Sequence, residues 1–249
     1  MPKGAERLSV DTPDDETLVG IHIPAAQPDG SRTLVLGFGG NAWNGQDVAE
    51  YLHEIYPHAD VVAFHYRGYR PSTGRPSAEA LIADAPLVFD AALKRVKPKR
   101  TVAVGFSIGT GIAASLASER NIDGLILVTP FDSLKAVAQS AFPWLPIGPF
   151  FQHEIDAAAA VAATNTPTAI LAAERDEIIP SDRTDALRPH VRNLVFDETI
   201  ARAGHNDIYQ RSAFQQAMRD AMSTLAAGQT AVRRPAGAAP RSSGSTPRQ

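Results

Sequence analysis

A serine flanked by glycines, Gly105-Phe106-Ser107-Ile108-Gly109, closes an apolar run that begins at Thr101 and leads into a helix-like stretch. A serine hydroxyl becomes a working nucleophile only when a base takes its proton and an acid fixes that base's tautomer. The G-x-S-x-G spacing suits such a serine, because glycines on both sides let a strand and a helix pass closely and leave the side chain exposed at a strained bend. The helix N-terminus beyond it adds partial positive charge where an oxyanion would form. An incidental serine in a glycine-lined turn would have the same five residues, so its partners must decide.

Seven histidines compete for the base. His22 and His65 fall inside strand-like runs, His53 and His58 in or beside the first long helix, His190 at the end of another, and His153 in an insertion. His205, in Ala203-Gly204-His205-Asn206-Asp207, follows the last strand-like run by a short loop and precedes the final helix. From there an imidazole can swing over Ser107. For the acid, Asp176 stands three residues past the strand-like run 168–173, in a turn that ends at Pro180, with Glu174 and Glu177 beside it. Asp132, after the run 125–130, is a second acid position. The order Ser107, Asp176, His205 is one that such triads adopt. Acyl transfer also needs two N–H donors for the oxyanion. The Ile108 N–H is one, and the glycine-rich segment 37–44, GFGGNAWN, offers the Asn41 N–H as the other. No G-x-x-x-x-G-K-[ST] or G-x-G-x-x-G pattern suggests a phosphate cradle instead.

These residues need a frame that brings strand ends together. Apolar, β-branched runs at 18–23, 33–38, 61–66, 101–106, 125–130, 168–173 and 194–196 read as strands, several of them apolar throughout as expected for strands covered on both faces. Helices are expected at about 45–56, 77–95, 108–120, 181–190 and 206–225, with Ser77, Ser181 and Asp207 followed by Gln210 as N-cap chemistry. Alternating strands and helices imply an α/β domain with a mostly parallel sheet, and ligands in such sheets bind beyond the strands' carboxyl ends. Asp11-Thr12-Pro13-Asp14-Asp15-Glu16 reads as the turn of an N-terminal hairpin, and 28–31 as another turn. Residues 131–163 break the rhythm with FPWLPIGPFF and an alanine-rich stretch, which reads as a lid-like insertion or pocket wall. Phe142, Trp144, Leu145, Phe150 and Phe151, with Trp43 beside the glycine-rich segment, suggest an apolar substrate pocket.

At 249 residues, 44% hydrophobic and 20% charged, the chain has the makings of one core, expected over 1–227, with a disordered basic tail over 228–249. Four arginines and no acid lie in that tail, so the net charge of -3 leaves about -7 on the body. The body thus shows no nucleic-acid signature, and the tail's dispersed arginines fall short of a membrane anchor. No cysteine is present, which excludes disulfides, thiolate metal sites and thiol catalysis. The first residues hold no apolar core for a secretory signal, so a cytoplasmic location is expected.

With triad order, glycine-rich loop and strand rhythm in place, the chain resembles the α/β-hydrolase superfamily. It is most similar to small serine hydrolases of the serine aminopeptidase-like, esterase and acyl-protein thioesterase kind. YRGYRPSTGRPS (66–77) is similar to that subgroup's YRGYGxSxGxPS stretch, and PFDS (130–133), ERDEIIP (174–180) and GHND (204–207) match it as well. Two positions depart from the pattern: Gly39 and Gly40 stand where His-Gly is usual, and Arg70 replaces a glycine. The resemblance implies an eight-stranded sheet with the second strand antiparallel, whereas the turn at 28–31 alone would pair the strands it joins. It further implies a serine hydrolase of esters or thioesters, with a small-molecule acyl substrate and neither metal nor organic cofactor. An amide or peptide hydrolase of the same fold and a catalytically silent ligand-binding homologue are the competing expectations.

Overall fold

The computed structural model describes residues 2, 4–30, 32–141 and 154–228. Among them the strands are β1 (Glu6–Asp11), β2 (Thr17–Ile23), β3 (Thr33–Phe38), β4 (Asp60–Phe64), β5 (Arg100–Phe106), β6 (Gly124–Val128), β7 (Thr168–Ala173) and β8 (Leu194–Ile200). They form one eight-stranded sheet in the order β1-β2-β4-β3-β5-β6-β7-β8. β1 and β2 make the expected antiparallel hairpin, β2 also runs antiparallel to β4, and every other pair is parallel. The turn at 28–31 therefore does not join neighbours, because β4 lies between β2 and β3. This is the α/β-hydrolase fold.

Residues of the central strands alternate between two apolar layers. Leu34, Leu36, Ala103, Leu125 and Leu127 enter one, and Val35, Val102, Val104 and Ile126 the other. The first is covered by α2 (Ala78–Val96), α3 (Ile108–Glu119) and α5 (Ala157–Ala162), the second by α1 (Gly45–Ile55) and α7 (Ser212–Ala227). Double coverage explains why β3 and β7 are buried at every residue and why period-two polarity is missing from their sequences. Each fully buried Leu or Phe here contributes about 2 kcal/mol of transfer free energy. None of the described helices is long and apolar enough to cross a membrane.

Helix starts differ from expectation at two places. Ser77 caps α2 as expected, its side chain accepting from the Ala80 N–H at 3.1 Å. Ser181, however, is the first residue of α6 (Ser181–Leu187), with Pro180 in the cap position and no side-chain cap. The helix expected over 206–225 splits into a 3-10 turn, Ile208–Gln210, and α7. Asp207 turns its carboxylate back to the Gly204 N–H, 2.7 Å away, instead of capping the helix that follows. β4 also stops at Phe64, so His65 and Tyr66 belong to the loop beyond it.

Of the insertion, α4 (Leu134–Ala141) and α5 are described, and a bridge joins Ser133 to Asp156. Phe131 and Ile155 are fully buried beneath them. Phe142, Trp144, Leu145, Phe150 and Phe151 lie outside the described residues, as do residues 229–249 of the tail.

Candidate active site

Ser107 lies between β5 and α3 with φ 51° and ψ −120°, a left-handed conformation that costs a non-glycine residue about 1–3 kcal/mol. Its surroundings impose that conformation. A Cβ at Gly105 would lie 2.4 Å from the Gly109 carbonyl oxygen, and one at Gly109 only 2.2 Å from the Phe38 carbonyl oxygen. Only glycine fits at either position. The Ser107 N–H donates to the Val128 carbonyl at 3.0 Å, and the Thr110 hydroxyl donates to the Ser107 carbonyl at 2.6 Å.

His205 and Asp176 come to Ser107 from the ends of β8 and β7. His205 Nε2 lies 3.1 Å from Ser107 Oγ, while Nδ1 lies 2.9 and 2.8 Å from the two Asp176 carboxylate oxygens. An ionised carboxylate only accepts, so Asp176 holds the proton on Nδ1 and leaves Nε2 to accept from the serine hydroxyl. Asp176 is itself fixed by the Ile178 and Ile179 N–H groups, which donate to Oδ1 at 3.0 and 2.7 Å. Both side chains are buried, with relative exposures of 6% for His205 and 4% for Asp176. Water therefore competes little for these bonds.

The loop that carries His205 is tied to the loop that carries Asp176. Glu177 accepts from the His205 N–H at 3.0 Å, Glu174 from the Arg202 N–H at 2.5 Å, and the Ala203 carbonyl from the Arg175 N–H at 2.8 Å. Asp207 is held by Arg211 and by the Gly204 N–H, two donors that keep its carboxyl below the usual carboxylate range.

The other acid position is used differently. Asp132 accepts from Arg183 at 3.3 Å. Of the remaining histidines, His22 meets Asp60 at 2.7 Å and His58 meets the Gln27 carbonyl at 2.6 Å. His53 and His65 each bury an Nδ1 without a partner, and His190 lies in a 3-10 turn, while His153 is outside the described residues. Among the described residues, no three His, Asp or Glu side chains converge to hold a metal ion.

Ser107 and His205 open onto a cleft of about 400 Å³ walled by Gly40, Asn41, Ala42, Trp43, Ile178, Asn206 and Tyr209. The Asn41 and Ile108 N–H groups, the two expected oxyanion donors, are taken by no other group among the described residues. Trp43 is both a cleft wall and part of an aromatic cluster, its ring centroid 5.0 Å from Phe106 and 5.1 Å from Tyr209. Burial pushes the Tyr209 hydroxyl up to about 12, so it stays a neutral phenol.

Four residues of this region were not singled out in the sequence. Tyr66 and Tyr69 hold the glycine-rich loop, donating to the Gly39 carbonyl at 2.8 Å and to Asn41 Oδ1 at 2.9 Å. Their signal was the tyrosine pair in YRGY, three residues apart. Ile178 is 46% exposed at the cleft mouth, while its neighbour Ile179 is buried. The doubled isoleucine beside Asp176 was its only mark. Tyr209 carried no signal beyond its place four residues after His205.

Comparison with known proteins agrees with this architecture. A family profile described as alpha/beta hydrolase fold matches residues 34–165. An uncharacterized protein of Mycobacterium tuberculosis is 30% identical over 212 residues, covering 83% of this chain and 74% of that one. The lysophosphatidylserine lipase ABHD12 of Danio rerio is 30% identical over 171 residues, covering 60% of this chain and 45% of the lipase. Among solved structures, the esterase Pf2001 of Pyrococcus furiosus superposes with a TM-score of 0.70 at 18% identity, covering 89% of this chain and 91% of the esterase.

Proposed function

The chain belongs to the α/β-hydrolase family, and we propose that within it this protein is a serine hydrolase of carboxylic esters or thioesters. One observation carries the reading: a continuous relay from Ser107 Oγ through His205 to the Asp176 carboxylate, with 3.1 Å and 2.8 Å links. In the reaction, His205 Nε2 takes the hydroxyl proton as Ser107 Oγ attacks the carbonyl carbon. The carbonyl oxygen becomes an oxyanion and accepts from the Asn41 and Ile108 N–H groups. His205, now an imidazolium steadied by Asp176, returns the proton to the leaving alcohol or thiol, and an acyl-enzyme remains. Water activated by His205 then releases the acid and restores Ser107.

The cleft supports a reading of the substrate class. Trp43, Ile178 and Tyr209 offer apolar surface to an acyl chain, and among the described residues no acidic cluster lines the cleft to receive a substrate amine. Short to medium acyl esters and thioesters fit this better than peptides. Two relatives carry an esterase and a lipase name, in keeping with ester chemistry. A fluorophosphonate probe should label the wild type and fail on Ser107→Ala, and a p-nitrophenyl ester chain-length series should be turned over faster than aminopeptidase substrates. Equal labelling of both proteins removes Ser107 from the chemistry, and faster peptide cleavage reverses the substrate order.

A further inference from the structure

Trp43 walls the Ser107 cleft, and the very next residue, Asn44, walls a second hollow of about 550 Å³. Its other polar walls are Arg7 on β1, Gln46 and Asp47 in the first turn of α1, His65 after β4, and Arg70. Six other described arginines end on carboxylates. Arg7 and Arg70 have no ion-pair partner among the described residues. His65 is only 7% exposed, and its Nδ1 has no hydrogen-bond partner. Asp47 is the one acid among the described residues of the walls, and the Asn44 side chain already donates to it at 2.6 Å. Two arginines and one carboxylate therefore line the hollow together with His65, leaving net positive charge on its walls.

We propose that this hollow binds a small phosphate-bearing molecule, its phosphoryl oxygens held by Arg7 and Arg70 with His65 as a further donor. Guanidinium groups match phosphate geometry and stay charged at any working pH. Burial, reinforced by the Arg7 charge and opposed by Asp47, keeps His65 below the usual imidazole range, so it acts as a neutral ring able to donate one N–H. The hollow shares only the 41–44 loop with the Ser107 cleft, so its ligand is either a free small phosphate or the phosphoryl end of an ester whose acyl end reaches Ser107. The binding site itself does not rest on the hydrolase reading.

Titration of the full chain with inorganic phosphate, at constant ionic strength set with chloride, tests the site without any hydrolysis. Saturable binding is expected for the wild type, weakened about tenfold in Arg7→Gln/Arg70→Gln. Arg70→Gln alone, an exposed substitution, serves if the pair folds poorly, which a thermal melt reveals. A second arm compares KM for an acyl glycerol with KM for the corresponding acyl glycerol phosphate. A wild-type preference for the phosphate ester that the arginine variant loses assigns the site to the substrate's head. Binding of inorganic phosphate without that preference assigns it to a free small phosphate. No saturable phosphate binding, or binding unchanged in the variant, overturns the proposal.

Discussion

Around Ser107 the chain has no spare room, and a methyl group added at Gly105 or Gly109 would run into backbone oxygens at 2.4 and 2.2 Å. Around His205, itself buried, the loop instead keeps its place through hydrogen bonds to Glu174, Arg175, Asp176 and Glu177. The first device is steric and the second polar. A steric seat fails abruptly, because backbone cannot yield, whereas a bonded loop loses about 0.5–1.5 kcal/mol with each bond and fails by degrees. Ser107, the proposed nucleophile, must tolerate an unfavourable conformation, which a rigid seat enforces. His205, the proposed base, would give and take a proton while keeping both partners, which a tethered loop allows.

The sharpest separation of the two devices is Ser107→Ala. Among the described residues the Ser107 hydroxyl bonds only to His205, so its loss should cost kcat about 10⁴- to 10⁶-fold on a p-nitrophenyl ester without lowering the urea midpoint. A variant that keeps a tenth of the rate would show that the seat holds something other than the nucleophile.

Gly109→Ala should have the next largest effect, and on the fold rather than on chemistry alone. The clash with the Phe38 and Gly39 carbonyls should destabilise the protein by about 3 kcal/mol or more, read as a lower urea midpoint. Gly40→Ala is the control from the same corner, since its Cβ would meet Ser107 Cβ at 3.4 Å. Its stability should stay within about 0.5 kcal/mol of wild type. If both glycine variants unfold alike, the seat is not steric.

The two devices were unequally legible in the sequence. The steric seat is local, so Gly105, Ser107 and Gly109 could be read from five consecutive residues. The tethered loops join positions about 29 residues apart, and there only residue types and strand-end placement pointed to Asp176 and His205. Caps proved harder. Ser181 and Asp207 have the right chemistry for N-caps, yet Pro180 takes one cap position and Gly204 claims the Asp207 carboxylate. A cap depends on where the chain turns, and here tertiary partners decided that. The antiparallel second strand likewise came from family resemblance, because a short turn at 28–31 carries no information about the strand that inserts between its neighbours.

Glu177 tests the tether itself. Removing its carboxylate in Glu177→Ala frees the His205 N–H and should lower kcat about fivefold, the equivalent of one lost bond of about 1 kcal/mol. Glu177→Gln keeps an acceptor oxygen and should recover most of the rate. Equal rates in Glu177→Ala and wild type would mean that Asp176 alone holds the ring.

The smallest effect concerns a third support, the 66–77 stretch whose Tyr66 and Tyr69 hold the glycine-rich loop. Arg67 pins this stretch to Asp84 at 2.7 Å and to Asp14 in the β1–β2 turn. The Arg67 hydrogen bond, then that of Thr12, hold the Asp14 carboxyl down at about 2, against an ordinary 3.8. A carboxyl whose pKa is lower in the folded state binds fewer protons there, so its stabilisation is complete above the unfolded value and fades as the pH falls through the folded one. Asp14 should thus help the fold above about pH 4 and stop helping near pH 2. Asp14 is exposed, so the contribution should be modest and salt-sensitive. Urea midpoints of wild type and Asp14→Asn should differ slightly at pH 6, draw together between pH 4 and pH 2, and differ less in high salt. A gap that stays constant down to pH 2 would show that the Asp14 charge does nothing for the turn, leaving Asp84 as the sole anchor of the stretch that holds the glycine-rich loop.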